Sequence, residues 1–136
     1  MDMTFGSEQQ TRRMHLNVRE LQQLDAAILS HSQWITQLQL AIADGSSKFD
    51  PNIVMIDNRC EFGRWLYEDF PKDARSSRIF EPIRDTHAAF HLKAANILRL
   101  ALSGNGAAAL EQMSINGDFM RLSGHLILQL KELRET

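Results

Sequence analysis

From Leu21 onward the apolar side chains fall at Leu21, Leu24, Ile28, Ile35, Leu38 and Ile42, in steps of three and four interrupted by one empty seat. That period marks one face of a helix and predicts a single long helix, with Gln22, Gln23, Asp25, Ser32, Gln33 and Gln37 covering much of the remaining surface. The empty seat is position 31, and it holds His31. Trp34 follows at i+3, where its ring is expected to shield the imidazole on one side.

The pattern breaks at DGSSKFDPN, Asp44 to Asn52, where Gly, Ser, Asp and Pro fall together and predict a loop. The loop is expected to run on to Asp57 or Asn58, either of which is an N-cap candidate for a short helix. Asn58 with Glu61 three residues later fits the capping-box pattern. Trp65 and Leu66 would anchor this short helix, and Gly63 would let another backbone approach it closely. A second long helix is expected to open at Glu81 or Pro82, since proline suits a first-turn position. Its stripe is Phe80, Ile83, Phe90, Ala94, Ile97, Leu98 and Ala101, and it ends at SGNG, Ser103 to Gly106. Ala107 to Arg134 reads as the last helix, with apolar positions that include Leu110, Met113, Phe119, Leu126, Leu130 and Leu133. Gly117 and Gly124 weaken it by about 1 kcal/mol each, which makes Asn116 and Gly117 the place for a kink or break.

No stretch reads as a strand. The expected architecture is all-α: an antiparallel four-helix bundle in which the short helix bears the cysteine. At 136 residues the chain has the length of one domain. We divide it into residues 1–17, a polar extension or short helix, and 18–136, the bundle.

Composition narrows the function classes. With 43% apolar and 24% charged residues the chain is ordinary globular protein, and a net charge of −2 with scattered arginines and lysines argues against a nucleic-acid partner. The polar start, MDMTFGSEQQTRRM, has no apolar signal core, and no window approaches a membrane span, so a cytoplasmic location is expected. One cysteine, Cys60, permits no internal disulfide. The plain reading of such a residue is a small buried hydrophobe.

Its context suggests more. Cys60 is expected in the first turn of the short helix, where aligned N–H groups favour a thiolate. In HAAFH, His87 and His91 lie four residues apart on one helical face, a spacing that suits two ligands of one metal ion but is weak by itself. The pair lacks the glutamate of HExxH metalloproteases and so has no built-in general base. His31 adds a third imidazole on an apolar face. Three buried rings without partners would cost about 1–3 kcal/mol each. A thiolate would complete a set of nitrogen and sulfur donors that tetrahedral Zn2+ prefers.

His31 with Trp34, Cys60 in CEFGRWL, and His87 with His91 in HAAFH resemble, in that order, the chemoreceptor zinc-binding domain family. The likeness spans about Leu24 to Leu130. It implies a zinc-bound bundle, ligated by His31, Cys60, His87 and His91, that regulates a bacterial signalling output as part of chemotaxis receptors or diguanylate cyclases, the cyclase-linked kind forming homodimers. FGRW looks most similar to members linked to diguanylate cyclases. No cyclase or receptor-signalling module occurs in these residues, so the output partner is expected to lie outside them, and no catalysis is expected of the chain itself.

Three alternatives stand beside this reading. Cys60 as a redox trigger for peroxide or hypochlorite would use the same site. A haemerythrin-like di-iron bundle would need carboxylates in Glu-x-x-His pairs, which neither Glu61 nor Asp85 makes. An interaction bundle with unligated histidines would bind no metal. His15 and His125 lie outside the signature, as surface or interface residues. Ala27, Trp34 and Ala41 form a second stripe expected to meet a dimer partner, and Arg64 is a candidate hydrogen-bond donor near the site.

Overall fold

The computed structural model describes residues 16–71 and 76–135, so the expected short helix before Val18 lies outside the described residues. Among the described residues the secondary structure is helical throughout, without a strand. The elements are α1 (Val18–Ser32), α2 (Trp34–Asp44), α3 (Pro51–Val54), α4 (Glu61–Glu68), α5 (Ser76–Leu102), α6 (Gly106–Gln112) and α7 (Asp118–Arg134).

The first pillar is α1 and α2, parted only at Gln33, whose dihedrals stay helical. Side chains that bond one turn back surround this parting. Ser30 Oγ and His31 Nδ1 both donate to the Ala27 carbonyl, at 3.3 and 2.7 Å, and Ser32 Oγ donates to those of Ile28 and Leu29, at 2.7 and 2.9 Å. Such bonds compete with the backbone ladder and bend helices. The expected face survives the break: Leu24, His31 and Leu38 are buried, with Leu21, Ile28, Ile35 and Ile42 half-buried beside them. At the start, Asn17 and Glu20 form a reciprocal capping box, with bonds of 2.8 and 3.0 Å.

Gly45, at φ 70°, ends α2 in the left-handed conformation. The expected loop contains one turn of helix, α3, because Asp50 caps it through Asn52 N–H at 2.9 Å and Pro51 occupies its first position. Neither Asp57 nor Asn58 caps α4. Cys60 is the N-cap, its sulfur accepting from Gly63 N–H at 3.3 Å.

The long helix α5 is already formed at Ser76, ahead of Glu81 and Pro82, and Pro82 lies inside it. An interior proline costs about 3 kcal/mol. Packing of the extra turns offsets this: Phe80 meets the rings of Phe70 and Tyr67 at 5.4 and 6.3 Å. The last predicted helix breaks between Gln112 and Asp118, with Gly117 as the new N-cap. Gly124 stays helical within α7. Leu110, expected in the core, is exposed, and Ala109 takes its place because the short α6 sets its own phase.

Helix directions follow from contacts at the ends. Gly106, just beyond α5, lies against Ile42 in α2, Arg134 at the end of α7 pairs with Asp25 in α1, and Phe90 meets Phe119 at 5.3 Å. Hence α1–α2 and α5 run one way, α7 the other. Because α4 leads from the level of His87 to that of Phe80, it too runs opposite to α5, which makes an antiparallel four-helix bundle with α4 as its short member. Phe62, Phe90, Phe119, Leu24, Leu38 and Leu126 fill the centre. No helix among the described residues is long and apolar enough to cross a membrane. Of the expected partner-facing stripe, Ala27 and Ala41 are buried in this core, and Trp34 is half-buried and packs on Phe49 at 4.9 Å.

Candidate metal centre

Each donor is aimed by its own helix. His31, in the last turn of α1, donates from Nδ1 to the carbonyl of Ala27 one turn back, at 2.7 Å. A carbonyl can only accept, so the proton sits on Nδ1 and the Nε2 lone pair faces the core. His91 does the same across the loop: its Nδ1 donates to the Val54 carbonyl of α3 at 2.7 Å, which is the structural use of that single helical turn. His87 is one turn before His91 on α5 and fully buried.

Cys60 reaches the same point from the start of α4. Its sulfur is 3.4 Å from His87 Nε2, 3.6 Å from His91 Nε2 and 3.9 Å from His31 Nε2. The Nε2 atoms of His87 and His91 are 3.0 Å apart, and those of His87 and His31 3.2 Å. All four donor atoms lie within 4.8 Å of one another, and the structure thus brings together all four residues singled out in the sequence. For bonds of about 2.05 Å to nitrogen and 2.3 Å to sulfur, tetrahedral zinc would separate its donors by about 3.3–3.6 Å. The observed set is of that size.

Such an arrangement is able to hold a cation. His31 and His91 hold their protons on Nδ1, so two lone pairs and a sulfur face His87 Nε2. A metal ion can accept from all four donors at once. The surroundings keep the rings neutral, as ligation requires. Burial holds His31 down to about 4 and His87 down to about 2, with like-charge repulsion from neighbouring imidazoles adding to both, and burial lowers His91 as well. Phe62 and Phe90 stand edge-on to His31, with centroids at 6.0 and 5.4 Å. These rings, not Trp34, shield the imidazole.

The thiol departs from expectation. Burial pushes Cys60 up despite the N–H groups of Gly63 and Phe62, so the helix start alone does not make it a thiolate. A coordinated cation would supply the missing stabilisation. Gly63 behaves as expected: a Cβ there would overlap the Asp57 carbonyl oxygen and come within 2.8 Å of its carbon. Arg64 is exposed and outside the cluster, and His125 is exposed on α7, while His15 lies outside the described residues.

Two neighbours of the site were not legible in the sequence. Tyr67 O–H donates to Asp57 Oδ2 at 2.6 Å, and that oxygen is 4.0 Å from His87 Nδ1. The Tyr67 hydroxyl is pushed up to about 12, by burial first and then by this bond. Asp57 reads in the sequence only as a cap candidate, and no spacing rule relates residue 57 to 67 and 87.

Four inward-facing donors closed inside an all-α bundle define a metal-binding helical domain, and the mixture of three imidazoles with one sulfur is a zinc set. Residues 31–98, half of the chain, match the chemoreceptor zinc-binding domain, and the chain belongs to that family. All four donors fall within the matched stretch. No curated protein and no solved structure shows significant similarity to the chain.

Proposed function

We propose that this chain is a zinc-dependent regulatory domain of bacterial signalling, with His31, Cys60, His87 and His91 as the ligands of one Zn2+. The observation that carries the reading is the convergence of the four donors, from α1, α4 and α5, within 4.8 Å. Four protein ligands leave no open position for a substrate or a hydrolytic water, so the role is structural and regulatory, not catalytic. The bound ion would supply the positive charge that lets these donors face one another. The chain's own residues do the rest. Cys60 ties the start of α4 to two other helices, while His91 draws in the Val54 carbonyl and with it the loop that leads to α4. Without the ion α4 loses this tie and keeps its apolar anchors, chiefly Phe62, Trp65 and Leu66, and the Tyr67 bond to Asp57. Metal binding therefore biases an equilibrium between a pinned and a released α4, which an attached or associated output can read.

The output is chemotaxis or cyclic-di-GMP synthesis, with FGRW favouring a diguanylate cyclase, and the working form is a cytoplasmic homodimer. Amide hydrogen exchange before and after a strong chelator tests the mechanism. Faster exchange across residues 54–68, restored by one equivalent of zinc, is expected. An unchanged map with the zinc removed would overturn it.

One observation favours a second input at the same site. The histidines are buried, whereas Cys60 is half-buried and so the least enclosed of the four residues. Peroxide would convert the thiolate and HOOH to a sulfenic acid and hydroxide, weakening the fourth ligand. Stoichiometric oxidation followed with a zinc-sensitive dye should release the metal; complete retention excludes this input.

A further inference from the structure

His87 is the imidazole of the cluster whose outer nitrogen lacks an acceptor. Its Nδ1 is buried with no hydrogen-bond partner, although His31 and His91 each give the equivalent proton to a carbonyl at 2.7 Å. An unmet buried donor is costly, and metal-binding imidazoles nearly always hand that proton to a carboxylate, carbonyl or water. Asp57 Oδ2 stands 4.0 Å away, too far for a hydrogen bond and about 1 Å from making one.

Asp57 is held where it can close that gap. Its carbonyl packs under Gly63, its carboxylate is largely covered, and Tyr67 O–H grips Oδ2 at 2.6 Å. A carboxylate oxygen has two lone pairs, so the Tyr67 bond leaves one for a second donor. Charge points the same way. Zn2+ with three neutral imidazoles and one thiolate carries a net charge of about +1, and an adjacent carboxylate cancels it in a site walled by phenylalanine rings.

Resting on the zinc-site reading above, we infer that Asp57 is a positioning residue for His87, accepting its Nδ1–H in the metal-loaded state, and that Tyr67 clamps the carboxylate for this task. The pair fixes the His87 tautomer that presents the Nε2 lone pair to the ion, and it tunes affinity without touching the metal.

The experiment compares wild type with Asp57→Ala, Asp57→Asn and Tyr67→Phe, using zinc competition against a chromophoric chelator and the visible spectrum of the Co2+-loaded forms. Asp57→Ala is expected to keep one metal per chain and a tetrahedral Co2+ spectrum while binding zinc roughly ten- to a hundredfold more weakly. Asp57→Asn, whose amide oxygen still accepts but carries no charge, should recover part of the loss, and Tyr67→Phe should lose less than Asp57→Ala. Unchanged affinity in Asp57→Ala would overturn the inference. Should that variant not fold, nitrogen-detected NMR of zinc-loaded wild type decides: a slowly exchanging His87 Nδ1 proton supports it, and one exchanging as in free imidazole overturns it. Failure of the zinc reading looks different, as wild type taking up no zinc or Cys60→Ala taking it up equally well.

Discussion

The Asp57 carbonyl oxygen occupies the place where a Cβ on residue 63 would stand, so the loop before α4 and the first turn of α4 interlock through a missing side chain. Gly63→Ala must push the two apart. Overpacking of this kind costs about 1–3 kcal/mol, and because the shifted backbone carries both Cys60 and Asp57, zinc affinity should fall with it. Thermal melts with and without zinc check this. A variant that melts and binds as wild type does would show that the approach is dispensable.

Cys60 caps α4 and is the proposed fourth zinc ligand, and two substitutions separate these roles. Serine keeps an acceptor for Gly63 N–H, whereas alanine keeps neither the cap nor the ligand. Both should lose at least roughly a hundredfold in zinc affinity, beyond the cost of altering a residue that only supports a ligand. Between the metal-free forms, alanine should be the less stable by about 1 kcal/mol, the usual worth of an N-cap. Chemical denaturation in chelator gives the comparison directly.

Acid should unfold the metal-free protein through its buried imidazoles. The folded values of about 4 for His31 and about 2 for His87 lie below the ordinary 6.5, so above that pH neither folded nor unfolded chain protonates them and stability is at its full value. Below pH 6.5 the unfolded chain takes up protons that the folded one refuses. Stability then drops by up to about 1.4 kcal/mol per pH unit for each histidine, and His31 stops contributing to the slope once it protonates near pH 4. Denaturation midpoints in chelator should be level from pH 8 to 7 and decline below 6.5. A flat profile down to pH 5 would mean that the rings are not buried neutral.

Gly124 offers a control away from the site. It is exposed within α7, and a Cβ there would meet nothing within 4 Å. Gly124→Ala should raise stability by about 0.5–1 kcal/mol through helix propensity alone and leave zinc affinity as it was, which melting and metal titration measure.

Local chemistry made much of this legible beforehand. The stripe of Leu24, His31 and Leu38 faces the core as its spacing requires, and Gly117 interrupts the last helix where glycine weakens it. Asp50 followed by Pro51 was a start signal for α3 open to view in the sequence. The beginning of α5 was not, because Pro82 marks a helix start by local rules, whereas the rings of Phe70 and Tyr67 hold the earlier turns in place.

By itself the sequence determined the helical class, most of the inward faces and the four candidate donors, since periodicity is carried by residues a few positions apart and ligand chemistry by each side chain on its own. Tertiary structure decided that these donors meet, as Cys60 lies 29, 27 and 31 positions from His31, His87 and His91, and no local preference acts over such distances. It also decided that Cys60 caps α4, that Val54 receives the His91 proton, and that Asp57 stands between Tyr67 and His87. Those relations exist only once core burial has fixed how α4 and its loop lie against α1 and α5.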